Sequence, residues 1–301
     1  MPPPRLHDDQ VDVDEALARR LLGEQMPEYA AMPLRRVRSG GTENAVFRLG
    51  EELAVRMPIH PGGVGGLLKE VRWLPAVSGH LSLQVPELVA TGSPTEHYPF
   101  PWAVVRWIPG EDALTGRIDP LPEAARTIGG FVAELQRIDM TGAPPPGSEG
   151  FVRGLPLAGR DTAFRAALTR CVGLLDVERV RAVWEDALAA PDWDGPPVWL
   201  HADLIPGNLL LRDGRVVAVL DFGAMATGDP AYDVTAAWHV LDRDSRTVFR
   251  EIVAADEATW RRARGLVVSG GVIALPYYLH TNPSMVATAR RGIAEVLADL
   301  S

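Results

Sequence analysis

A single cysteine, Cys171, stands in this chain of 301 residues, so no intramolecular disulfide framework can form and a reducing compartment is expected. Its place in an apolar pattern marks it as a packed thiol rather than a nucleophile. No long uncharged apolar span is present, and no signal-peptide core opens the chain. Both absences argue against a membrane protein and predict a cytoplasmic one. Positive charge is in deficit: 30 Lys and Arg against 39 Asp and Glu leave a net charge of −9. That balance argues against nucleic acid or an anionic membrane surface as the main partner and is compatible with a cationic small molecule. No internal repeat and no low-complexity tract appears.

What the chain does have is length for two lobes, a 47% hydrophobic content suited to a sizeable core, and one dense stretch of chemistry, Val198–Asp233. His201-Ala202-Asp203 ends a short apolar run, and Asn208 follows Asp203 at the spacing D-x-x-x-x-N. Asn208–Leu211 and Val216–Leu220 flank Arg212-Asp213-Gly214-Arg215, and Asp-Gly between two apolar runs predicts a β-hairpin. Antiparallel pairing would bring Asn208, at the start of one strand, beside Asp221-Phe222-Gly223, at the end of the other. Two carboxylates and an amide so arranged suit phosphoryl transfer. Asp203 can accept a hydroxyl proton, while Asn208 and Asp221 hold Mg²⁺ against a polyphosphate. Any one of these triplets alone would be an ordinary loop; the ordered set is far more specific.

The segment resembles the aminoglycoside phosphotransferase family, small-molecule kinases of the protein-kinase-like fold. The family's signature runs H-G-D-x-x-x-x-N, then D-F-G, then G-D-P-x-x-D. Here Ala202 replaces the first glycine, while Gly228-Asp229-Pro230 and Asp233 are kept. The resemblance implies Asp203 as catalytic base and Asn208 and Asp221 as metal ligands, with His201, Asp229 and Asp233 bracing the loop. It implies ATP or GTP and Mg²⁺ as cofactors. The fold expected is α+β and two-lobed, with an antiparallel β N-lobe over residues 1–108, carrying an N-terminal helix, and a mostly helical C-lobe over 109–301.

Within the first lobe, Gly40 and Gly41 sit in a loop between two strand-like runs, where backbone N–H groups can lie over phosphates. Leu53–Met57 resembles the V-A-I-K strand of kinases, with Arg56 where lysine usually stands. His60–Gly66 reads as a flexible connection. Glu70, on a helix over Leu67–Leu74, resembles the glutamate that pairs with that basic residue. Lys69, its neighbour on the helix, points elsewhere. A further strand is expected over Trp102–Ile108, and the resemblance places a nucleotide-binding hinge at its end, around Arg106, Trp107 and Ile108. Further helices are expected over Asp14–Gln25, Leu121–Ile138, Ala163–Leu175, Val177–Ala189, Ala231–Leu241, Asp256–Gly265 and Thr288–Leu300.

The expected reaction moves a γ-phosphoryl group to a hydroxyl of a small molecule, aminoglycoside-like or another antibiotic. A macrolide kinase, a choline- or sugar-type metabolite kinase and a non-catalytic nucleotide-binding pseudokinase are the alternatives. Candidates to line the acceptor pocket are Asp242, Asp244, Tyr277, Tyr278, His280, Glu295 and Asp299. Glu295 and Asp299 share a helix face at i, i+4 and could receive amines. Arg290 and Arg291 nearby oppose a strongly cationic ligand, and Ile273–Tyr278 suits a less polar one.

Overall fold

The computed structural model describes residues 7–37, 41–148 and 153–300. After helix α1 (Glu15–Gln25), strands β1 (Leu34–Arg36), β2 (Asn44–Leu49) and β3 (Leu53–Pro58) lead into α2 (Pro61–Ser78). Strands β4 (Leu88–Gly92) and β5 (Trp102–Arg106) then complete a five-stranded antiparallel sheet of order β1-β2-β3-β5-β4. Its two faces bury different partners. Phe47, Val55, Met57, Trp102 and Val104 pack with Leu21 and Leu22 of α1, whereas Ala54, Ala103 and Val105 pack with Leu67 of α2. Strand periodicity of two therefore places Arg56, two residues after Ala54, on the α2 side.

Helix α2 begins six residues earlier than the expected Leu67. Pro61 occupies the first turn and His60 caps it, its Nδ1 accepting the Gly62 amide at 3.3 Å. The glycines that read as a flexible connection are helical because neighbours crowd them. A Cβ on Gly66 would lie 3.1 Å from Gly223 Cα. The helix thus rests directly on the Asp221-Phe222-Gly223 turn.

The rest of the described chain is mainly helical. Strand β6 (Glu111–Asp112) precedes α3 (Leu121–Arg137), α4 (Asp161–Thr169) and α5 (Val177–Leu188). Strands β7 (Val198–Leu200), β8 (Leu209–Arg212), β9 (Arg215–Val219) and β10 (Ala226–Gly228) form a three-stranded sheet β6-β8-β9 and a β7–β10 pair. The β8–β9 hairpin turns at Asp213 (φ 51°) and Gly214 (φ 76°), the two positive values that such a two-residue turn requires. The expected helix over Ala231–Leu241 is divided at Thr235 into α6 (Ala231–Val234) and α7 (Ala236–His239). Helix α8 (Arg243–Ile252) was not anticipated. Helices α9 (Glu257–Tyr278) and α10 (Pro283–Asp299) are longer than their apolar periodicity suggested, and α9 carries Pro276 in its last turn. One large core joins these elements through Phe131, Trp184, Trp199, Phe222, Trp238 and Phe249. Among the described residues no helix is long and apolar enough to cross a membrane.

Candidate active site

The hairpin does what its turn chemistry required. Leu209 pairs with Val219, and the Leu220 amide donates to the Asn208 carbonyl at 2.8 Å, so Asn208 and Asp221 lie on adjoining strand ends. Asn208 Nδ2 donates to the Asp203 carbonyl at 2.9 Å and to Asp203 Oδ2 at 3.0 Å. With its nitrogen so engaged, the Asn208 side-chain oxygen is directed away from Asp203. Asp221 stands in the left-handed region at φ 59°, and its carboxylate accepts the Gly223 amide at 3.3 Å. An amide oxygen and a carboxylate are hard donors that fit a divalent cation such as Mg²⁺.

Ala202 also stands in the left-handed region, at φ 63°, where a glycine would be relaxed. Fully buried Asp233 holds this turn. Its Oδ2 accepts the His201 amide at 2.9 Å and its Oδ1 the Ala202 amide at 2.6 Å. Burial pushes the Asp233 carboxyl up, and the nearby His201 and these amides pull it back. His201 donates from Nε2 to the Leu220 carbonyl at 3.0 Å, while its Nδ1 accepts the Asp203 amide at 3.2 Å. Both ring nitrogens are thus taken by backbone. The ring packs edge-on against Phe222 at 4.6 Å and near Phe131 of α3 at 6.4 Å.

On the sheet side, Arg56 Nη1 donates to Glu70 Oε2 at 2.5 Å, and Arg56 Nη2 lies 3.7 Å from Asp221 Oδ1. Glu70 occupies the buried stripe Leu67–Glu70–Leu74–Val77 of α2. Burial opposes the charge on Arg56, but Glu70 and then Asp221 outweigh it, and the guanidinium is held above its ordinary range. Burial pushes Glu70 up, with Arg56 as the main opposing influence. At 2.5 Å the pair is bound by its charges, and Arg56 stays a cation.

Two cations that sequence reasoning did not assign complete the site. Arg153 donates through Nη1 to the Ala202 carbonyl in a short contact and to Asp203 Oδ1 at 3.2 Å. Its position is set by the next residue. The Gly154 backbone lies so close to Thr227 and Gly228 that a side chain on either glycine would collide, and the Asp229 amide donates to the Gly154 carbonyl at 3.0 Å. Lys69 donates to the Met225 carbonyl at 3.3 Å, and burial followed by the charge of Arg153 holds its ammonium below its usual range. Asp229 is braced by Arg262 of α9, whose Nε donates to Oδ2 at 2.7 Å and whose Nη2 donates to Oδ1 at 3.1 Å, both partners being buried.

Other expected residues fall differently. The Arg106 amide donates to the Glu87 carbonyl at 2.9 Å and the Trp107 amide to the Glu52 carbonyl at 2.7 Å, so neither amide is free to donate to a base. Arg48 covers the Trp107 ring at 4.4 Å. Ile108, partly buried, follows at the end of this segment. Gly41 is exposed, and Gly40 lies outside the described residues. Asp242 caps α8, accepting the Ser245 amide at 2.9 Å. Glu295 and Asp299 do share a face, but it is turned onto buried Arg246, each carboxylate lying 2.8 Å from its guanidinium. Both carboxylates therefore serve as counter-charges to Arg246, Glu295 from a partly exposed position. Tyr277 is exposed and donates to His7 Nδ1 at 3.0 Å; Tyr278 is partly buried, its hydroxyl pushed up by burial, with Asp203 among the charges near it.

The family model described as "Phosphotransferase enzyme family" matches residues 35–266. No curated protein matches the chain. Among solved structures, the chain is similar in fold to the GDP complex of wild-type aminoglycoside 2'-phosphotransferase-IIIa, at 19% identity and a TM-score of 0.75 over 96% of this chain and 100% of that one. It is similar to the GDP and kanamycin complex of APH(2")-IIIa, at 18% identity and a TM-score of 0.69 over 94% and 98%. It is also similar to the macrolide 2'-phosphotransferase MphH from Brachybacterium faecium, at 23% identity and a TM-score of 0.63 over 94% and 98%. These likenesses are of fold: a protein-kinase-like arrangement of an antiparallel sheet and a helical body.

Proposed function

Because the chain belongs to the phosphotransferase enzyme family, we propose that it moves the γ-phosphoryl group of ATP or GTP onto a hydroxyl of a small, antibiotic-like molecule. One observation carries this reading. Asp203 is divided between Arg153 and Asn208, while Arg56 bridges Glu70 and Asp221, so that cations and carboxylates face one another where a metal-bound polyphosphate would lie.

In this reading Asp203 orients the acceptor hydroxyl and takes its proton, with both carboxylate oxygens held in place by Asn208 and Arg153. Asn208 and Asp221 would hold Mg²⁺, which when bound neutralises charge on the transferring phosphates. Arg56, aimed by Glu70, clamps the donor phosphates with a planar fork in place of a lysine's point charge. His201, Asp229 and Asp233 fix the loop. Gly41 borders the phosphates, and Arg106, Trp107 and Ile108 form the hinge beside the base, with the Arg106 and Trp107 amides already engaged by backbone. Residues 1–108 would act as the nucleotide lobe, and 109–301 as the lobe of the catalytic loop and acceptor pocket.

A less polar acceptor, as in the macrolide enzymes, is favoured over a polyamine by one finding: Glu295 and Asp299 are already engaged by Arg246, with Arg243 a further 3.8 Å from Asp299. Tyr277 and Tyr278 remain as pocket candidates.

The test measures phosphorylated product from ATP and from GTP across aminoglycosides, macrolides, sugars and choline, for the wild type and Asp203→Ala. Product from the wild type alone, with nucleotide still bound by the variant, is expected. Equal turnover by Asp203→Ala would remove Asp203 from its role. A wild type that binds nucleotide but phosphorylates none of these acceptors would support the pseudokinase reading.

A further inference from the structure

Just beyond Gly41, four segments meet at the rim of the sheet. Residues His7, Glu43 and His60 come together there, one ring nitrogen of each histidine and a Glu43 oxygen all lying within 4.8 Å of one another. Among the described residues this is the single grouping of three or more His, Cys, Asp or Glu close enough to share a metal ion. The geometry points to a binding site for a first-row divalent metal of the zinc type, with His7, His60 and Glu43 as ligands.

The three side chains are held by backbone rather than by chance proximity. The Ile59 amide donates to the Glu43 carbonyl at 2.9 Å, and the Val11 amide to the Ile59 carbonyl at 2.7 Å. This ties the N-terminal segment, the end of the loop before β2 and the start of α2 into one frame. The two imidazoles stack at 3.8 Å between centroids. His7 has a partner of the kind that accompanies a metal ligand. His7 Nε2 donates to the Thr42 carbonyl at 2.9 Å, which fixes the tautomer and leaves Nδ1 bare; at present it accepts the Tyr277 hydroxyl at 3.0 Å. His60 Nε2 lies 2.8 Å from Glu43 Oε2, with a proton between them where an ion would go. Binding through Nε2 moves that proton to Nδ1 of the same ring. The Gly62 amide then loses its acceptor, and Asp9, whose Oδ1 is 3.9 Å away, has to close in to accept the ring N–H as outer carboxylate.

Two imidazoles and a carboxylate are the ligand types that borderline-soft Zn²⁺ favours, whereas Mg²⁺ prefers oxygen alone. Three protein ligands leave a fourth position to water. A bound ion would release Tyr277 from His7 and fasten the N-terminal segment to α2 and the loop before β2.

The test is equilibrium dialysis of the full chain, stripped with chelator, against ZnSO4 without nucleotide. One Zn²⁺ per chain is expected. An outer partner is worth about 10–100-fold in metal affinity, so His7→Ala and the near-isosteric Glu43→Gln should each weaken binding by at least about tenfold, Asp9→Asn by about tenfold. Tyr277→Phe should bind as well as the wild type or better. Circular dichroism and thermal unfolding in chelator check that each variant folds. Failure of the wild type to retain stoichiometric Zn²⁺, or equal retention by folded His7→Ala and Glu43→Gln, would overturn the assignment. Nucleotide takes no part in the measurement, so its outcome is separate from the proposed phosphotransfer.

Discussion

Asp233 accepts the amide of Ala202 at 2.6 Å, and Ala202 stands at φ 63°. A buried carboxylate on α6 thus holds a non-glycine residue in a conformation that disfavours a Cβ by roughly 1–2 kcal/mol. Ala202→Gly removes that strain but gives the unfolded chain more freedom, worth about 0.4–1 kcal/mol in the other direction. The expected outcome is a protein as stable as the wild type or up to about 1 kcal/mol more stable, read from urea unfolding. Asp233→Ala strands two buried amides and should lose about 2–4 kcal/mol. A large loss of stability in Ala202→Gly would mean that the turn is not strained.

Arg262 and Asp229 form a bidentate pair with 2% and 7% of their side chains exposed. Removing one partner of a buried pair leaves an uncompensated charge and costs about 3–5 kcal/mol. Arg262→Ala should therefore destabilise strongly, and Arg262→Ala with Asp229→Ala should lose less than the sum of the single changes. Additive losses in chemical unfolding would show that the pair is not coupled.

Much of this site was legible because its parts are local. The spacing from His201 through Asp203 to Asn208, the Asp213-Gly214 turn and the strand to Asp221 all lie within 21 residues, and hairpin physics alone joins their ends. Arg56 and Glu70 were legible only through the resemblance of their strand and helix to those of kinases, since an isolated arginine or glutamate in such a pattern is ordinarily solvated. Arg153, Arg262 and Arg246 were not, because each meets its carboxylate across 33 to 53 residues of chain. Nothing in their own neighbourhoods separates a buried arginine from a solvated one. The start of α2 was misread for a different reason. Glycine disfavours helix in isolation, but here close packing against Glu43 and Gly223 leaves no room for side chains.

Arg56 reaches Glu70 and faces Asp221. Losing a charge-assisted contact to phosphate weakens binding by about 1.5–3 kcal/mol, or roughly 10–100-fold. Arg56→Ala also strands buried Glu70, so Arg56→Ala with Glu70→Gln is the cleaner variant. It should fold and bind nucleotide about 10–100-fold more weakly by calorimetry, and Arg56→Lys should fall between. Unchanged nucleotide affinity in the double variant would remove Arg56 from the phosphate site.

His239 lies in the last turn of α7, its Nδ1 without a hydrogen-bond partner among the described residues. Burial lowers its pKa from 6.5 to about 4, against the opposing pull of Asp203. The folded value lies below the unfolded one, so as pH falls from 6.5 towards 4 the unfolded chain takes up the proton first and stability is lost. The loss attributable to this group should be roughly 2 kcal/mol, allowing for its partial exposure. His239→Gln should flatten the pH dependence of unfolding free energy across that window. A slope identical to the wild type would show that His239 does not titrate between the two states.

Glu295 and Asp299, on one face of α10, were expected to receive the amines of an acceptor. The structure gives them another task. Arg246 of α8, its side chain 4% exposed, donates to both at 2.8 Å, and Asp299 also accepts the Trp238 indole N–H at 2.7 Å. This knot fastens α8 and α7 to α10. Asp299→Asn weakens the guanidinium contact while keeping a polar group, and should lose about 1–3 kcal/mol of stability. Glu295→Gln, at a more exposed position, should lose less. Neither change should alter how KM for the best acceptor responds to ionic strength, because neither carboxylate meets the acceptor. If instead KM rises with salt in the wild type and both substitutions abolish that rise without lowering unfolding stability, the two carboxylates bind a cation directly, and Arg246 must move aside to admit it.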